Sequence, residues 1–244
     1  MGRGASGSLG MFWRGSLDAL ESGRRLGFCG SRKASDGALK QTAALARRAA
    51  LAGWVRVHGG ARGADQACAL AKPESVQIIV LGGGLAELER RHPLRGLFGG
   101  PNLALSPFPL FAPIAQWSLV RRNRAIAALS EALAVAETAP DGGSRHAALM
   151  ALKLGRAVFV FEGVEEADNA RRKKRASEPL DTLSRAEAEA GRRRLVQAGA
   201  RRLAVGRVCR LPSEELERTL FPAHPAAGKP ASQAPPKAIQ GELF

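Results

Sequence analysis

The chain has no tyrosine, and aromatic residues make up only 5% of its 244 residues, so ring stacking on a ligand is expected to contribute less than in aromatic-rich binders. Cysteine is nearly as scarce. Cys29, Cys68 and Cys209 are odd in number, far apart and never in a paired spacing, which argues against a disulfide framework and against a zinc site. They read as small buried hydrophobes in a reducing compartment. His58, His92, His146 and His224 show no metal-ligand spacing, and no metal is expected. Long apolar runs are also missing. The first 20 residues contain no stretch of signal-peptide length, and no later window approaches a membrane span, so a soluble, cytoplasmic protein without a membrane partner is expected. Neither G-x-G-x-x-G after the first strand nor G-x-x-x-x-G-K-[ST] occurs, so no nucleotide cofactor is expected. Acids are outnumbered: 37 Lys and Arg stand against 22 Asp and Glu. The resulting charge of +15 would draw the chain to a polyanion, either nucleic acid or an acidic membrane surface.

What is present is alternation. "RLGFCG" (25–30), "WVRVHG" (54–59), "VQIIVLG" (76–82), "NLALSPF" (102–108), "EALAVAE" (131–137) and "AVFVFEG" (157–163) read as buried strands. Between them lie helical patterns over 38–53, about 64–71, the stretch 118–130, and 144–154. This order predicts an α/β, Rossmann-like, doubly wound and mostly parallel sheet. Residues 1–23 read as an N-terminal extension and 24–163 as the sheet domain. Residues 164–221 read as a basic helical extension containing "ARRKKR" (170–175), and the Pro/Ala-rich 222–244 as a disordered tail.

In open α/β sheets, ligands sit beyond the carboxyl ends of the strands. Four strand exits here run into glycine-containing turns: "GSRKAS" (30–35), "GGARGAD" (59–65), "GGG" (82–84) and "DGGS" (141–144). Such turns let backbone N–H groups approach a phosphate, and Ser31 and Ser144 add hydroxyls. Arg32 and Arg62 lie in two of them, and "RRNR" (121–124) is expected on the same edge. A pocket for several phosphates follows, with Arg32, Arg62, Arg122 and Arg124 around it. The alternative is that these arginines pair with Asp65, Glu137 or Asp141. His58 beside the glycines reads as a hydrogen-bonded loop residue, an acid–base role being the other option.

The order of these motifs resembles the DprA/Smf family of bacterial DNA-processing proteins. The resemblance runs through "GSRKAS", "GGARGAD", "IIVLGGGL", "RRNRAIAALSEALAVAE" and "GGSRHAALMALKLGRAVFVFEG", from about residue 26 to 163. It implies a non-enzymatic homodimer that binds single-stranded DNA in a basic pocket, protects it and hands it to the RecA recombinase in transformation or recombination. Carried over, Gly30, Ser31, Arg32, Gly60, Arg62, Gly63, Arg122, Asn123, Arg124, Gly143 and Ser144 form the pocket. The chain departs from the family at His58, where Ser is usual, at Cys68, and at Gly142, Arg145 and Ala147 in the Ser-Gly-Ser loop.

A second family of this fold, the phosphoribohydrolases, has a P-G-G-x-G-T-x-x-E loop. "PDGGSRHAA" (140–148) resembles it, but Ala147 falls where the catalytic glutamate belongs. A non-catalytic nucleotide sensor is a third reading. The terminal "QGELF" places Gln240, Leu243 and Phe244 in the spacing of a peptide that binds the replication sliding clamp. If the pocket reading holds, charge reversal at Arg122 and Arg124 abolishes binding and spares the fold. Of the aromatics near this edge, Trp117 and Phe108 are the stacking candidates, with core packing expected of both.

Overall fold

The computed structural model describes residues 10–162 and 183–222. The apolar runs from Arg25 onward are four or five residues long, too short for helices, and each becomes a strand: β2 (Arg25–Cys29), β3 (Val55–His58), β4 (Gln77–Val80), β5 (Leu103–Ser106), β6 (Ala132–Val135) and β7 (Ala157–Phe161). The intervening segments carry apolar residues at helical spacing and form α1 (Asp36–Leu51), α2 (Ala64–Leu70), α3 (Leu85–Arg91), α4 (Gln116–Leu129) and α5 (Gly143–Lys153).

The sheet has eight strands because short segments at either end of the described chain add its two edges. These are β1 (Phe12–Gly15), antiparallel to β5, and β8 (Arg201–Leu203), parallel to β7. The order is β1-β5-β4-β3-β2-β6-β7-β8, and every pair except β1–β5 is parallel. Strands β2 to β5 wind one way and β6 to β8 the other, so the winding reverses between β2 and β6, which is where such sheets bind ligands.

Alternation along the strands supplies two cores. Leu26, Phe28, Ala132, Ala134, Phe159 and Phe161 pack against α1 on one face, while Cys29, Leu133, Val135 and Val160 meet Ile126 of α4 and Ala147 and Ala151 of α5 on the other. The remaining helices, α6 (Arg185–Gln197), α7 (Val205–Val208) and α8 (Ser213–Leu220), belong to the same body: Leu195 joins the second core, and Val205, Leu216 and Leu220 join the first.

Two boundaries therefore differ from the sequence reading. Residues 12–15 are an edge strand rather than part of a separate extension, and 185–220 complete the sheet and its covering helices. Both edge strands were hard to read because "FWRG" and "RRL" carry charge on short segments, as solvent-facing edges do. The "ARRKKR" run and the Pro/Ala-rich tail lie outside the described residues. No described helix is long and apolar enough to cross a membrane.

Candidate functional site

The turns after β2 and β3 touch each other. Gly63 has φ +82°, and a Cβ there would lie 2.5 Å from the Ser31 carbonyl oxygen and 3.0 Å from Arg32 Cα. Arg32 and Arg62, one in each turn, are thus brought together, and both are exposed. Neither forms an ion pair among the described residues. The first turn is braced from β6: the Ser31 N–H donates to the Glu137 carbonyl at 2.7 Å, and the Glu137 carboxylate accepts from the Ser35 N–H (2.8 Å) and hydroxyl (2.7 Å). Ser35 in turn caps α1 by accepting from the Ala38 N–H. Gly30 sits between Ala64 and Ala136.

Arg122 is not where the sequence reading placed it. It is only 5% exposed, beneath the β3 turn, with Nη1 3.6 Å from Asp65 Oδ2 and 3.3 Å from the Val80 carbonyl. A Cβ on Gly59 would lie 1.0 Å from that same Nη1, so the turn passes directly over the guanidinium. Asp65 Oδ2 also accepts from the N–H groups of Gly59 (3.1 Å) and Ala61 (3.3 Å). Burial pushes the Arg122 pKa down and the Asp65 pKa up, and each partner's charge opposes that shift. An arginine stays protonated in a protein, and that charge together with the two N–H donors favours the carboxylate form of Asp65. Arg122 is a brace for the glycine turn, and its reversal to Glu would place two carboxylates together in the interior. Reversing it is therefore expected to disrupt the fold rather than spare it.

Asn123, also buried, ties α4 to the exit of β6 by donating from Nδ2 to the Gly143 carbonyl at 3.0 Å. Gly143 is exposed at the first position of α5, and the half-buried Ser144 follows it; no side chain caps this helix. Ala147, three positions further, is fully buried in the core. Contacts of 122 and 123 with β3, β4 and β6 exits put this part of α4 at the level of the turns, while Arg121 and Arg124 face outward into solvent. Arg121 was missing from the expected set. The signal was in the helical period: Ser118, Arg122 and Ile126 share one buried face at i, i+4, i+8, so 121 and 124 had to share the other.

His58 is fully buried and belongs to the frame. Its Nδ1 accepts from the Gly60 N–H at 3.2 Å, so Nε2 carries the proton and donates to Gln77 Oε1 at 2.8 Å. Burial pushes this imidazole down to about 3, and it stays neutral at physiological pH. Burial likewise pushes the Cys29 and Cys68 thiols up, the latter to about 12. Among the described residues no three His, Cys, Asp or Glu side chains come together as a metal site would need. Phe108 is buried as expected, but Trp117, in edge contact with it at 5.7 Å, is 63% exposed.

Residues 6–204 match the family described as DNA recombination-mediator protein A. Over 157 residues the chain is 30% identical to DNA processing protein DprA of Bacillus subtilis, covering 63% of this chain and 53% of that protein. It is 34% identical over 158 residues to Protein Smf of Escherichia coli, covering 63% of this chain and 42% of that protein. The chain thus spans about half the length of the curated relatives it matches. Among solved structures, DprA from Streptococcus pneumoniae superposes with a TM-score of 0.62 at 26% identity, covering 81% of this chain and 64% of the other. DNA processing protein A from Helicobacter pylori, whose structure was solved to explain its single-stranded DNA binding mode, gives 0.64 at 20% identity, covering 82% and 84%.

Proposed function

This chain belongs to the DNA recombination-mediator protein A family, and from that premise we propose that it is a DNA-processing protein that binds single-stranded DNA across the strand exits of its sheet. The observation that carries the reading is the set of exposed arginines, Arg32, Arg62 and Arg124, that have no carboxylate partner among the described residues and surround turns whose own acids are already engaged. Guanidiniums and loop N–H groups hold phosphates in this reading, with Gly30, Gly63 and Gly143 as backbone donors and Ser31 and Ser144 as hydroxyl donors, while Gly60, whose own N–H is given to His58, shapes the turn. Arg122 and Asn123 act from behind by fixing the turns.

Phosphate contacts carry little sequence information, so binding is nearly sequence-blind. Protection of the strand, delivery to a RecA-type recombinase and homodimerisation complete the proposed role, which has no catalytic step of its own. The same reading gives Gln240, Leu243 and Phe244 a tethering role on the sliding clamp; they lie outside the described residues. Deletion of 240–244 is expected to release the protein from immobilised clamp, and unchanged retention removes that part.

The central test is fluorescence anisotropy with a labelled single strand. Replacing Arg32, Arg62 and Arg124 together by Glu is expected to weaken binding at least about a hundredfold near 0.1 M salt, since each phosphate contact carries about 0.7 log unit of affinity per log unit of salt. Undiminished affinity overturns the assignment. The same protein offered AMP addresses the hydrolase reading: release of free base would favour an enzyme, against the apolar, buried Ala147 that stands at the position of the expected carboxylate.

A further inference from the structure

At the exits of β4 and β5 the surface of the same edge changes character. Leu110, Phe111 and Ile114 of the segment before α4, and Trp117 and Val120 of α4 itself, are all exposed, with Phe111 at 74% and Trp117 at 63%. Single exposed apolar residues need no explanation, but five within eleven positions form a patch. On α4 that patch continues without a break into charge. Trp117, Val120, Arg121 and Arg124 follow at i, i+3, i+4 and i+7, which is one stripe of a helix, and all four are exposed. Over about 10 Å the stripe passes from an indole to two guanidiniums that form no ion pair among the described residues. The indole is also held in place: it stands edge-on, at 79°, against the buried Phe108 ring, so little freedom remains to be lost when something stacks on it.

We propose that this stripe is a base-stacking shelf for single-stranded nucleic acid, Trp117 and Phe111 receiving bases while Arg121 and Arg124 hold the neighbouring phosphates. The inference rests on the reading of the chain as a single-strand binder and assigns the base side of that contact. Alternating flat rings and anions are what a single strand presents, and an aromatic beside guanidiniums is the surface that accepts both. A second copy of the chain fits poorly. In a two-fold interface the patch meets itself, which would set Arg121 and Arg124 of both copies in one apolar contact without acids.

The experiment compares Trp117→Ala with the wild-type full chain on two probes of equal length, a thymidine homopolymer of about 20 nucleotides and its abasic counterpart. The expected result is a roughly tenfold loss for the variant on the homopolymer, less than about twofold on the abasic strand, and near wild-type binding by Trp117→Phe. Equal losses on both probes, or no loss on either, overturn the shelf while leaving the phosphate reading intact. Wild-type protein that binds neither probe overturns both. A fall in sedimenting mass with unchanged affinity assigns the patch to contact between copies and likewise overturns it.

Discussion

Arginines stand at both ends of the sheet, in opposite company. At the amino ends of the strands Arg24 lies 3.0 Å from both Glu131 and Glu217 and over the Phe221 ring, and Arg25 reaches Glu131 and the Leu129 carbonyl. At the carboxyl ends the acids are spent on the frame. Glu137 caps the first turn, Asp65 holds the second and neutralises Arg122, and Asp141 pairs with Arg194. Arg32, Arg62, Arg121 and Arg124 are left facing solvent without ion pairs among the described residues. A net charge of +15 describes both ends equally. What separates them is which acids the turns have already claimed.

The largest expected effect lies inside the frame. Asp65→Asn keeps an acceptor for the Gly59 N–H but strips the charge from beside buried Arg122, and breaking a buried pair in this way costs about 3–5 kcal/mol. Urea unfolding measures it. The double variant Asp65→Asn/Arg122→Met is expected to regain much of the loss, because no unpaired charge remains inside. A single variant as stable as wild type would mean that Arg122 reaches solvent and belongs with the exposed set after all.

Next comes the contrast in salt dependence. Arg32, Arg62 and Arg124 changed together to Ala are expected to lower the slope of log affinity against log salt by about 2, with unfolding midpoints unchanged, since exposed side chains with no ion pair among the described residues hold little of the fold. Changing them one at a time sharpens the comparison: about 0.7 from each assigns one phosphate per arginine.

Much of this was legible in the chain. Apolar runs of strand length separated by helical spacing fixed six parallel strands and their exits, and the glycine turns marked the edge. Charge alone misled at Arg122. Its guanidinium is buried because helix phase puts position 122 on the face carrying Ser118 and Ile126, and because Asp65 waits there from a different element. Phase was readable from α4; the arrival of Asp65 depends on the β3 turn folding over it. Trp117 erred the other way, since its neighbour Phe108 fills the core and leaves the indole outside. The edge strands β1 and β8 depend on partners far along the chain, and segments of four and three residues carry no period of their own.

A smaller effect is expected from pH. His58 is neutral when folded, with its pKa depressed from 6.5 to about 3, so the unfolded chain binds the proton more readily. Its contribution to stability is whole above pH 6.5 and is lost as pH falls toward 3, by at most about 1.4 kcal/mol per pH unit. His58→Asn removes this share of the slope. Unfolding curves between pH 6.5 and 4 that run parallel for the two proteins would show that the imidazole is already protonated, and its Nδ1 would then be unable to accept from the Gly60 N–H.

The smallest effect is the one that decides whether placement or total charge governs binding. Arg24→Ala removes two ion pairs on a side chain about half exposed, and pairs of that kind contribute less than about 1 kcal/mol each, so a slight drop in stability is expected. Its effect on the strand should be absent: the same salt slope as wild type, within error, although one positive charge has gone. Arg62→Ala removes the same charge from the other end and is expected to lower the slope by about 0.7. Equal slopes for the two variants would mean that the strand responds to the overall field of a basic protein, and the contrast between paired and unpaired arginines would then describe the fold without describing the site.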